Sequence, residues 1–249
     1  MSKHHRDRSW APAPQPLPEN AHVIDNHTHV ASVVPFSRAM SHEAQEKGQP
    51  EVPVYSVDEL LNQAQQVGVE GVIDCGCELP NLMTAIDMAR EHPQTVHAAI
   101  AIHPNESVLH GHRGVPGPDG LPLKYQPWHD TSFEDAMAEV HRLATAYPNQ
   151  VVAIGETGMD LFRTGEAAKE LQREAFRAHI ALAKELNLPM QIHDRDWRTA
   201  LPNGPCSTAI PVMPKWVRSH VKTVGISAFR AHPAIRATMV FASRRALSD

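Results

Sequence analysis

Four short strings hold the residues able to do chemistry: "DNHTH" (25–29), "IHP" (102–104), "GETGMD" (155–160) and "QIHDRD" (191–196). In the first, Asp25, His27 and His29 occupy alternate positions, so an extended backbone turns all three to one side. Two imidazoles spaced in this way at a strand end can bind one metal ion from the same direction. The competing reading is a polar loop that carries histidines, since the chain holds 17 of them. Glu156 is the one carboxylate in "AIGETG", and the glycines beside it let other groups approach closely. Its two oxygens can bridge two divalent ions, with His193 binding the second. Ions about 3.5–4 Å apart activate water and stabilise both oxygens of a displacement at phosphorus. Imidazole-rich ligation suits Zn, Mn, Fe or Ni-type ions better than Mg alone. His103, Arg163 and Arg195 are the candidate substrate-binding residues. The arginines offer a phosphate clamp, with a solvated surface charge as the equal alternative. Asp25 and Asp160 are expected to orient ligands rather than to be ligands.

These residues need elements to place them. Val23 and Ile24 read as a β-strand that should stop at Asp25, where the polar residues begin. Residues 32–54 have no clear period and read as an insertion or long loop. "SVDELLNQAQQVG" predicts a helix with Ser56 as N-cap, Glu59 in the capping-box position and Gly68 beyond its end. "VEGVIDCG" is a short buried strand, "LPNLMTAIDMAREHP" a helix, and "VHAAIAIHP" a third strand. A Gly/Pro-rich surface excursion, "GHRGVPGPDGLPL", precedes a helix capped by Ser132. "VVAIGETGMD" is the fourth strand, a long amphipathic helix follows, and "LPMQIHDRD" is the fifth.

Strands alternating with helices at this spacing imply βαβ units and a parallel sheet. Strand one ends in His27 and His29, strand three in His103, strand four in Glu156 and strand five in His193. In a (β/α) barrel the C-terminal strand ends form one face, and that face holds the active site. Chance histidines would scatter over helices and loops as well. A metal site at a barrel mouth therefore outweighs the polar-loop reading.

Composition narrows the setting. With 249 residues, 20% charged and 42% apolar, the chain has the make-up of a globular protein able to bury a substantial core. A net charge of −5 gives no support for non-specific nucleic-acid binding through bulk charge, so such a substrate must be held locally or through metal ions. No apolar run reaches membrane-spanning length, and "MSKHHRDRSW" lacks the apolar core of a signal peptide. Three cysteines fit a reducing compartment, and the expected location is the cytoplasm, with no membrane and no protein partner inferred. Cys75 and Cys77 are read as small residues at a strand end. Residues 1–21 are expected to form a flexible proline-rich arm.

At this point the chain resembles the TatD family of metal-dependent hydrolases. "DNHTHV", "AIHPN", "IGETGMD", "LQREAFRAHIALAKELNLP" and "QIHDRD" carry the likeness, in order, over residues 22–195. The resemblance implies an α/β fold, a TIM (β/α)8 barrel of the metal-dependent hydrolase type, and deoxyribonuclease-like cleavage of DNA or another phosphodiester. It also implies that His27 and His29 bind the first ion, that Glu156 bridges and serves as the catalytic carboxylate, and that His193 binds the second. Position 105 is asparagine where many relatives carry an aromatic or histidine. The other branch, C–N or C–O hydrolases of the wider superfamily, often bridges its metals with a lysine where this chain has Glu156.

Beyond residue 195 the likeness stops. The family pattern also includes a histidine in an "HCxSG"-like string and an aspartate in a "TDSP"-like string, and residues 196–249 contain neither. That tail carries eight Lys and Arg against two acids, Asp196 and Asp249, and its β/α alternation vanishes. Back-translation of "NGPCSTAIPVMPKW", read so that each codon takes the last base of one triplet and two of the next, permits "R(T/A)VLHCYSGDAEM". "TVGISAFRA" in the same frame permits "GGYLSFxG", another string such proteins carry. The expectation is a barrel truncated to about five β/α units, followed by an out-of-frame tail. One flank of the sheet should then stay open, the second ion should be held weakly, and folding and activity should both be poor. A non-catalytic metal-binding remnant is the reading that follows if activity is gone.

Overall fold

Five parallel strands lie side by side in sequence order, as in the wall of a (β/α) barrel: β1 (Val23–Thr28), β2 (Val69–Gly76), β3 (Val96–Ile100), β4 (Val151–Asp160) and β5 (Met190–Arg195). A computed structural model describes Pro16, residues 23–117 and 122–195, and the backbone of 224–227 and 238–241. Apart from Pro16, the proposed arm over 1–21 lies outside the described residues, as does most of the tail over 196–249.

The helices are α1 (Val30–Glu46), α2 (Val57–Gln66), α3 (Leu79–Glu91), the single turn α4 (Pro104–Ser107), α5 (Phe133–Ala146) and α6 (Lys169–Glu185). On α5 the buried residues are Phe133, Ala136, Val140, Leu143 and Ala144, a spacing that keeps one stripe against the sheet. α3 does the same with Leu82, Ala85, Ile86 and Ala89. These stripes meet Val96, Ile100, Val151 and Ile154 of the strands in one continuous core. Each such large side chain taken fully from water contributes roughly 1.5–3 kcal/mol. Ser56 caps α2 with the full capping box to Glu59, and Ser132 caps α5 by accepting from the Asp135 N–H.

Three expectations need correction. Residues 32–54 are not a loop throughout, because α1 occupies Val30–Glu46. Its buried side chains are Ser37 and Ala44, too small to write an apolar period into the sequence, and Pro35 lies inside it. The first strand does not stop at Asp25. It continues through Thr28, whose Oγ1 donates to the Ile73 carbonyl at 3.1 Å, since pairing with β2 and not side-chain polarity holds it extended. Nor is the outer edge of β5 open. Residues Thr238–Phe241 (β7) pair antiparallel with Met190–Ile192, and Val224–Ser227 (β6) pairs antiparallel with β7. Backbone donors and acceptors on an edge accept any extended partner, so a tail without family motifs still satisfies them.

Candidate metal centre

The strand register aims five ionisable side chains at one place. β1 delivers His27 and leads straight into His29, which is also the N-cap position of α1. β3 runs on to His103, whose Nδ1 accepts from the Asn105 N–H at 3.2 Å and starts α4. β4 carries Glu156 and ends at Asp160, while β5 carries His193 opposite Gly158. Two glycines let β4 and β5 come this close. A Cβ on Gly155 would lie 2.4 Å from Gln191 Cβ. One on Gly158 would lie 2.2 Å from the His193 carbonyl oxygen, and Gly158 has a φ of +144°.

Glu156 is the hub. Its Oε1 lies 2.7 Å from His193 Nδ1. Its Oε2 lies 3.7 Å from His27 Nε2, 3.9 Å from His29 Nε2 and 3.9 Å from His103 Nε2. Two sets of donor atoms follow, His27/His29/Glu156 and His103/Glu156/His193, and within each set every ligand atom lies within 4.8 Å of the others. Nitrogen donors with one shared carboxylate suit a borderline divalent ion. His103 therefore stands with the second set of potential ligands, beyond the substrate-binding role expected for it.

Asp160 lies beside His193. Its Oδ2 accepts from Asn105 Nδ2 at 2.9 Å and lies 3.2 Å from His193 Nε2, while its Oδ1 accepts from the Phe162 N–H at 3.0 Å. Asp25 accepts from the His27 backbone N–H at 3.1 Å. Arg195 lies over the Phe162 ring at 4.0 Å, and neither it nor Arg163 lines the cavity beside the centre. That cavity, about 320 Å³, is walled by His29, Cys77, Glu78, His103, Asn105 and Glu106 among others.

The electrostatics follow from burial and pairing. Burial disfavours the charged form of Glu156, yet the hydrogen bond with His193 and the neighbouring imidazoles hold its carboxyl well below the usual range. The same balance, burial against the His193 bond, leaves Asp160 at about 2. Burial pulls His193 down, but its bonds to Asp160 and Glu156 win and raise it to about 9. Burial and the His193 charge push His103 down to about 4. Without metal, one imidazolium therefore neutralises part of a paired-carboxylate site.

Two residues that support the site went unremarked in the sequence. On the buried face of α6, Gln172 Oε1 accepts from the Asp160 N–H at 2.9 Å, and Gln172 Nε2 donates to the Asp160 carbonyl at 3.1 Å. Two turns on, His179 Nε2 accepts from the Ile102 N–H at 3.0 Å, and its Nδ1 donates to the Ala175 carbonyl at 2.8 Å. One helix thus clamps the ends of β3 and β4. The available signal was polar residues at 172 and 179 on the stripe that also holds Ala175, Leu182 and Ala183.

The model for the TatD related DNase family matches residues 24–203. A Bacillus subtilis (strain 168) protein named uncharacterized metal-dependent hydrolase YabD is 32% identical over 140 residues, 56% of this chain and 45% of that protein. The 3'-5' ssDNA/RNA exonuclease TatD of Erwinia tasmaniensis is 32% identical over 139 residues, 56% of this chain and 44% of that protein. The chain thus spans under half the length of these relatives. Among solved structures, a hydrolase TatD family protein from Entamoeba histolytica superposes with a TM-score of 0.50 at 20% identity. That superposition covers 72% of this chain and 52% of that one, and it speaks to fold alone.

Proposed function

The chain belongs to the TatD related DNase family, and on that premise we propose that it carries the metal-holding half of a hydrolase that cleaves phosphodiester bonds of single-stranded nucleic acid. The observation that supports this most is the shared carboxylate: Glu156 stands between two sets of histidines, each compact enough for one divalent ion. Bound there, two ions would supply an activated water and charge stabilisation at phosphorus. His27, His29 and Glu156 would hold one ion; Glu156, His193 and His103 would hold the other. Asp160 keeps the His193 ring in place through Nε2. The carboxylate wall of Glu78 and Glu106 favours hydroxyl and amine groups of a nucleotide over a second phosphate in the cavity. Arg195 and Arg163 are the candidate contacts to the phosphate backbone. Free thiols at Cys75 and Cys77 suit a cytoplasmic setting, and among the described residues no helix is long and apolar enough to cross a membrane.

The decisive assay is release of nucleotides from a single-stranded DNA oligomer with a free 3′ end, in Mn²⁺, comparing the chain with Glu156→Gln. Turnover that Glu156→Gln abolishes supports the proposal, and turnover that survives the substitution overturns it. The remnant reading keeps its own support, the absence of "HCxSG" and "TDSP" strings after residue 195. It predicts stoichiometric Mn²⁺ binding without turnover.

A further inference from the structure

Cys75 touches both histidines of the first set, each at the ring nitrogen that faces away from Glu156. Its carbonyl oxygen lies 3.3 Å from His29 Nδ1, and its Sγ lies 3.3 Å from His27 Nδ1. A carbonyl only accepts, so the hydrogen in the first contact sits on His29 Nδ1. In the neutral ring, His29 Nε2, 3.9 Å from Glu156 Oε2, is then a bare lone pair.

For His27 the assignment runs through Gln191. Its Nε2 donates to the Asn26 carbonyl, which identifies the other side-chain atom as the acceptor oxygen Oε1. That oxygen is 2.9 Å from Cys75 Sγ and takes the thiol hydrogen. With its hydrogen committed there, the sulfur has only lone pairs to offer His27. His27 Nδ1 must therefore be the donor, and in the neutral ring Nε2, 3.7 Å from Glu156 Oε2, is left bare. Cys75 and Gln191 are buried, so water does not compete for these positions. The two imidazoles stand edge to face, 5.0 Å apart and at 89°, which keeps both Nε2 atoms converging on the same carboxylate.

We infer that Cys75 and Gln191 are positioning residues: together they hold His27 and His29 in the Nδ1–H tautomer, so that both Nε2 lone pairs face the place where Glu156 would help hold a divalent cation. The part concerning the cation rests on the hydrolase proposed above; the tautomers stand on the hydrogen bonds alone. Thiol and amide form a relay from the Asn26 carbonyl to the metal-facing nitrogen. Outer partners of this kind are worth roughly 10–100-fold in metal affinity.

The relay makes a prediction that loss of packing does not. In Gln191→Met the thiol hydrogen has no oxygen to go to and turns to His27 Nδ1, which drives His27 toward the Nε2–H tautomer. In Cys75→Ala, His27 loses the sulfur, keeps its side-chain contact with Gln191 and becomes a mixture of both, while His29 keeps its carbonyl. Cys75→Ser, which can still accept and donate, restores the Nδ1–H form of His27. Val72→Ala, a core truncation on the same strand, leaves both rings as they were. The readout is the long-range ¹H–¹⁵N imidazole spectrum of the metal-free full chain, with Mn²⁺ titration alongside. The expected result is Nδ1–H at both histidines in the unsubstituted chain, the stated changes in the variants, and about a tenfold loss of Mn²⁺ affinity in Gln191→Met. An Nε2–H His27 in the unsubstituted chain overturns the assignment without needing any variant to fold. So do tautomers unaltered in both Gln191→Met and Cys75→Ala. Tautomers as stated in a chain that binds no Mn²⁺ support the positioning pair and sink the hydrolase instead.

Discussion

His193 Nδ1 and Glu156 Oε1 stand 2.7 Å apart, and on the far side of the ring His193 Nε2 lies 3.2 Å from Asp160 Oδ2. One imidazole thus joins Glu156 to Asp160, and on the proposed function the two carboxylates have different reach. Glu156→Gln removes a donor from both sets and should weaken Mn²⁺ binding at both by more than roughly 100-fold. Asp160→Asn should weaken only the set containing His193, by roughly 10–100-fold. Calorimetric titration of both variants separates the outcomes, and equal losses at the two positions would show that the sites are not divided in this way.

Gly158 should tolerate no side chain. Its φ is +144°, and a Cβ would sit 2.2 Å from the His193 carbonyl oxygen, which belongs to backbone and cannot swing aside. Gly158→Ala should cost about 3 kcal/mol, from backbone strain and overpacking together. Urea denaturation measures it; a cost under about 1 kcal/mol would mean that the β4–β5 approach is looser than described.

His179 ties stability to pH. It is fully buried, and burial lowers it from 6.5 to about 4 against the opposing bond to the Ala175 carbonyl. The unfolded chain takes up this proton first as pH falls, so the contribution is complete above pH 6.5 and is lost as pH drops from about 6.5 toward 4. The difference is on the order of 3 kcal/mol. His179→Gln, which cannot titrate, should flatten the fall in denaturation midpoint between pH 7 and pH 4.5. His103, also at about 4, leaves a smaller residual slope in that variant. A slope identical in the two proteins would remove His179 from the account.

The tail calls for a measurement on the gene. Sequencing across the codons for residues 190–215 should find the shifted frame open through "HCYSG" toward a "TDSP"-like string. Expressing that restored frame should raise nucleotide release from single-stranded DNA at least about 100-fold, as expected when missing ligands and closing strands are supplied. A closed frame would make residues 196–249 genuine, and the antiparallel strand β7 on β5 would then be the native closure of this edge.

Much of the wall could be read locally. The Ser56 and Ser132 caps, the core stripes of α3 and α5, and strands β2 to β5 all follow from signals within a few residues of one another. α1 escaped because it buries small residues, and a helix that buries Ser37 and Ala44 writes no apolar period. The sequence also marked His27, His29, Glu156 and His193, since each falls at or near the end of a recognisable strand.

What the sequence determined by itself, then, is the supply: which residue types arrive at which strand end, and that histidine and one glutamate dominate there. Chain geometry sets the periods of 2 and 3.6 residues, and those periods are local. Tertiary structure decided who meets whom. It brought His103, 90 residues from His193, to 3.3 Å from that ring, and it laid Gln191 against Cys75, 116 residues away. It also turned His179 inward onto the Ile102 N–H. Such meetings depend on register between strands and on glycines that let backbones touch. No window along the chain contains that information, because the distances are fixed by how β4 packs on β5 and α6 on β4.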